Sequence, residues 1–109
     1  MDSAQLAGTI LAIRRETSCA EAMHELLNAA NRYARLRADW ALLDRAGRVA
    51  RDRERFSAHE VLLDAFNILS RAMLRAGENN EWRGDLGTER GFIGDVACHL
   101  HCMLGLSAR

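Results

Sequence analysis

Apolar residues recur along this chain at spacings of three and four, the period of an amphipathic helix. Leu6, Ile10 and Ile13 mark a first stripe, broken at Gly8, and predict a helix over residues 3–15. Met23, Leu26, Leu27, Ala30, Tyr33, Ala34, Trp40 and Leu43 predict a second over 18–43, roughly 39 Å long at 1.5 Å per residue. Arg37 falls on that stripe and marks a charge near a seam or a helix bend. Val61, Leu62, Leu63, Ala65, Phe66, Ile68, Leu69, Ala72, Met73 and Leu74 predict a third helix over 57–76. They cover most of its circumference and leave Glu60, Asp64, Asn67 and Arg71 as a polar strip. A helix apolar nearly all round is central to its bundle or shared with another subunit. Ile93, Val96, Ala97, Leu100, Met103 and Leu104 predict a fourth helix over 92–104, stopped by Gly105.

Local signals punctuate this pattern. Two Ser-x-x-Glu pairs, Ser18…Glu21 and Ser57…Glu60, have the spacing of a capping box, in which each side chain satisfies an orphan backbone N–H. They predict the starts of the second and third helices. Gly77 suits a left-handed cap at the end of the third. Residues 44–56 read as a charged connector around Gly47, and residues 77–91, with four glycines, as a polar loop. There is no proline. The expected fold is all-α: a single domain over 1–109, a bundle of about four helices with up-down connections.

Composition narrows the setting. The chain has 109 residues, 49% hydrophobic and 28% charged, which places it among globular proteins and away from disordered ones. All 15 basic residues are arginine, a usage that GC-rich codons alone would produce, and 15 acids bring the net charge to zero. The charge is uneven: residues 31–55 carry eight arginines against four acids, and 78–95 carry five acids against two arginines. Such a dipolar chain suits pairing with itself, and a homodimer is expected. Nucleic acid is not expected, because binding it usually needs a clear positive excess. Three cysteines are too few for a disulfide framework. The first apolar run precedes its arginines, unlike a signal peptide, and no 18-residue apolar span exists. A reduced cytoplasmic setting without membrane association is the expectation.

Two regions gather chemistry. On the fourth helix Asp95, Cys98, His99 and Cys102 follow i, i+3, i+4, i+7 and share one face. These are metal-ligand types, yet one helix cannot wrap an ion. They are read as a packed face with Asp95 and His99 paired, and no metal or cofactor is expected. His24-Glu25 and His59-Glu60 each open a His-Glu-x-x-His pattern, but Asn28 and Leu63 stand where the second histidine belongs. In the loop, Trp82, Arg83 and Asp85 combine a stacking surface, an anion fork and an acceptor, and form the expected ligand-binding set.

Ile93-Gly94-Asp95-Val96 through Leu100 and Leu104 resembles the second metal-binding helix of MazG-like nucleotide pyrophosphohydrolases, which are all-helical and magnesium-dependent. The resemblance implies roles for Asp95, Glu21 and Glu25. Phe92 stands where that family places a glutamate, and Ala22 falls within its Glu-Glu-x-x-Glu motif. Arg53-Glu-Arg-Phe-Ser-Ala-His59 is similar to the Arg-x(4–6)-His motif of HEPN ribonucleases, small helical dimers, and implies roles for Arg53 and His59. Each covers a fifth of the chain at most. The functional expectation is a cytoplasmic homo-oligomeric module for protein interaction or small polar ligand binding, not an enzyme. A nucleotide pyrophosphohydrolase and a ribonuclease are the alternatives.

Overall fold

In the computed structural model, residues 2–78 and 90–107 are described. They form four helices: α1 (Ser3–Ile13), α2 (Ala20–Leu42), α3 (Arg45–Arg75) and α4 (Arg90–Ser107), with no strand among the described residues. The all-α bundle expected from the periodicity is the fold found. α4 packs against α1 and α2, α2 packs against α3, and α3 meets α4 only slightly. The third helix is therefore packed chiefly on α2 and is not central to the bundle.

The core is one continuous cluster to which every helix contributes. Leu6 and Ile10 come from α1, Leu26, Ala30 and Tyr33 from α2, Leu62, Phe66 and Leu69 from α3, and Ile93, Val96 and Leu100 from α4. No polar or charged residue is buried among the described residues. Each large side chain in this cluster contributes about 1.5–3 kcal/mol through its removal from water.

The helix starts differ from those expected. α1 is opened by a capping box that uses Asp2 and Gln5: the Gln5 N–H donates to Asp2 Oδ1 at 2.7 Å, and the Asp2 N–H donates to Gln5 Oε1 at 2.9 Å. Neither serine box forms. Ser57 lies inside α3, whose N-cap is Asp44, thirteen residues before it. The Gly47 N–H donates to Asp44 Oδ1 at 2.8 Å. Residues 45–56, expected as a connector, are thus helix. Their arginines, alanines and glutamate have good helix propensity, and several tie the segment to α2. Arg48 Nε donates to the Trp40 carbonyl at 3.2 Å, and Arg51 lies 3.7 Å from Asp39.

At α2 the N-cap residue is Cys19, and its side chain makes no cap bond. The turn that precedes it is instead held by Glu78, just past the end of α3. Gly77, at φ 72°, closes α3 in a Schellman arrangement: its N–H donates to the Leu74 carbonyl and the Glu78 N–H to the Met73 carbonyl. The Glu78 carboxylate is thereby aimed at the α1–α2 turn. It accepts from the Thr17 hydroxyl at 2.6 Å and from both the N–H and the hydroxyl of Ser18 at 2.7 Å. These three bonds, the Thr17 hydroxyl first, hold Glu78 below the usual carboxylate range.

Candidate functional site

Extending the helical register of α3 back through residues 45–56 puts Asp52, Arg55, Phe56 and His59 on one side of it, at i, i+3, i+4 and i+7. With Tyr33 of α2 and Gly91 at the start of α4 they line a cleft of about 300 Å³, the size of a small-ligand site. Each wall has a physical cause. Tyr33 is buried against α4 because Gly94 lets it approach: a Cβ at Gly94 would come within 2.9 Å of Tyr33 Oη and 3.0 Å of its ring. His59 packs edge-on to the Tyr33 ring at 5.5 Å between centroids, with an interplanar angle of 74°. The Arg55 guanidinium lies 4.9 Å over the Trp40 ring. That cation–π contact orients the guanidinium without using its N–H edge. Phe56 is 61% exposed and supplies an apolar wall.

A second concavity, about 400 Å³, lies along the α2–α3 hairpin and carries Asn28, Asn31, Arg32, Arg35, Asp39, Arg51 and Glu54. Here Arg51 is engaged by Glu54 at 3.1 Å as well as by Asp39. Asn31 is bonded to His101 Nδ1 at 2.9 Å. Arg51, Asp39 and Glu54 pair with one another here, and this concavity lacks the exposed aromatic wall that Phe56 gives the first cleft.

The face on α4 that carries metal-ligand types is divided by its surroundings. Asp95 pairs with Arg37 at 2.8 Å across the α2–α4 seam, and Arg37 also donates to Cys98 Sγ at 3.8 Å. Arg37 on the apolar stripe of α2 is thus a seam charge, and the Asp95 bond raises its pKa. Burial pushes the Cys98 thiol up, away from the thiolate a metal would need. His99 and Cys102 are exposed. No group of three His, Cys, Asp or Glu residues able to hold a metal occurs among the described residues. Glu21 and Glu25 line the other side of α2, facing α3, so the acids implied by the pyrophosphohydrolase resemblance are not gathered. Of the ribonuclease-like pair, His59 lines the cleft, but Arg55 stands there in place of Arg53.

Trp82, Arg83 and Asp85 lie outside the described residues. The cleft residues Asp52, Arg55 and Phe56 of α3 lie in a charged segment with no apolar stripe, which periodicity alone reads as a connector. The signal was present in the i, i+3, i+4, i+7 run Asp52, Arg55, Phe56, His59. No described helix is long and apolar enough to cross a membrane. No family model matches this chain, and no curated protein or solved structure matches it either.

Proposed function

We propose that this chain is a homodimeric helical module that binds a small organic anion in the cleft between α2 and α3. The observation that carries the reading is the convergence of Arg55, His59 and Tyr33 beside the exposed ring of Phe56. In this reading the Arg55 fork takes a carboxylate in two parallel bonds, Phe56 takes the flat apolar part of the ligand, and Tyr33 and His59 wall the far end. Asp52, on the same rim, repels multiply charged anions, so specificity comes from rejection as well as attraction.

Calorimetric titration with benzoate and with inorganic phosphate tests this. Benzoate binds the wild-type chain more tightly than phosphate does. Arg55→Ala weakens benzoate by about 10- to 100-fold, the worth of a charged hydrogen-bond pair. Asp52→Asn improves phosphate. Equal benzoate binding by wild type and Arg55→Ala would remove the proposal. Trp82, Arg83 and Asp85, chosen from the sequence alone, stay in this reading as a proposed ligand-binding set. Trp82→Ala weakens benzoate at an unchanged melting temperature; a lowered melting temperature with unchanged binding assigns Trp82 to anchoring instead.

A further inference from the structure

We infer that two copies of this chain pair through antiparallel packing of α3 on α3, across the strip Glu54, Val61, Ile68 and Arg75. The inference rests on the homodimer in the reading above and names its surface. It does not involve the ligand cleft.

α3 lies at the edge of the bundle and is packed chiefly on α2. Val61 and Ile68 remain 43% and 52% exposed. A seven-residue step on a helix drifts by only about 20°, so Glu54, Val61, Ile68 and Arg75 lie along one side. Small residues and two carboxylates flank this strip. Ala22 and Glu25 of α2 and Asp64 and Ala65 of α3 bound, with Val61 and Ile68, a cavity of about 220 Å³ whose surface is mainly apolar. Such a surface accepts branched side chains from a facing helix at close approach.

The two ends of the strip are complementary to each other in one orientation, with Asp64 flanking its centre. An antiparallel register centred between Asp64 and Ala65 sets Val61 against the partner's Ile68, and Glu54 against the partner's Arg75. Two-fold symmetry makes each contact twice. A parallel register sets Glu54 on Glu54 and Arg75 on Arg75, which like charge disfavours. Glu54 is exposed and accepts from Arg51, three residues back, at both carboxylate oxygens; each oxygen keeps a lone pair that an arginine of a facing helix would use. The occupant of this apolar strip is therefore a second copy, identified by opposite charges placed at equal distances from its centre.

Sedimentation equilibrium on the full chain, with melting followed by circular dichroism, tests the surface. The wild type sediments at twice its 12.2 kDa mass. Ile68→Glu sediments as a monomer with its helix content intact. Glu54→Arg and Arg75→Glu each weaken the dimer by about tenfold, because each pair occurs twice, and their combination restores it. A wild-type monomer at high micromolar concentration overturns both the surface and the homodimer. A dimer that Ile68→Glu leaves intact but Phe56→Glu disrupts overturns the surface and spares self-association. A double charge variant no tighter than either single variant also overturns it. Benzoate binding by the Ile68→Glu monomer is unchanged, which keeps the cleft and the dimer separately testable.

Discussion

Between Arg45 and Ser57 helix α3 buries no residue, whereas between Ala58 and Met73 it buries six: Ala58, Leu62, Ala65, Phe66, Leu69 and Met73. The two halves are continuous in backbone and differ in what holds them. The second half is helical because its apolar stripe has a core to enter, and tertiary burial supplies most of the stability of a helix in water. The first half rests on the Asp44 cap, on the Arg51–Glu54 pair within the helix, and on arginines that reach back to Trp40 and Asp39 of α2. Because it buries nothing, its side chains are free to differ in chemistry, and it is this half that supplies Asp52, Arg55 and Phe56 to the cleft. His59 sits one residue past the boundary, where the cleft meets the core.

The sharpest way to separate the halves is to truncate one residue in each. Leu62→Ala removes a fully buried side chain and costs about 2–5 kcal/mol. Val49→Ala, at a position 72% exposed, changes stability by less than about 0.5 kcal/mol. Denaturant midpoints at constant m-value report both. Gly94→Ala probes the place where core and cleft share a residue. Its new methyl group meets Tyr33, costs about 1–3 kcal/mol as overpacking, and weakens benzoate as the ring shifts. Unchanged stability would show that Tyr33 gives way freely.

Asp44→Ala breaks the first half without touching the core. It costs about 0.5–2 kcal/mol as a lost N-cap and raises amide exchange over 45–57 more than over 58–75. Uniform exchange would mean that the two halves open as one unit. The mildest change is Glu78→Gln. Glu78 is depressed by its three donors, so the stability it contributes is full above its unfolded value of about 4.3 and fades as pH falls through its lower folded value. The wild type therefore loses part of its melting temperature below about pH 4.3, and Glu78→Gln loses less over the same range.

The legibility of the fold follows the same division. Wherever a stripe enters the core, periodicity located the helix: the buried residues Leu6, Leu26, Leu62, Phe66, Ile93 and Leu100 all belong to stripes visible in the sequence. Residues 45–56 show no stripe, because no core lies beneath them, and a pattern built from burial does not register a helix held by caps and charges. The serine boxes misled for a related reason. A capping box needs a free helix end at the serine, and at Ser57 the helix was already running. At Ser18 the donors were taken by Glu78, sixty residues away, a contact that depends on how α3 closes and carries no local signature. The cleft was legible only to a reader who carried the α3 register through its charged half.

The proposal that the first half of α3 carries a ligand and the second half the core is tested most directly by residue-resolved NMR during a benzoate titration. Saturable shifts are expected at Tyr33, Arg55, Phe56 and His59, with α1 and residues 62–73 unmoved. Shifts spread through the core, or confined to Arg32 and Arg35 of the second concavity, would contradict it.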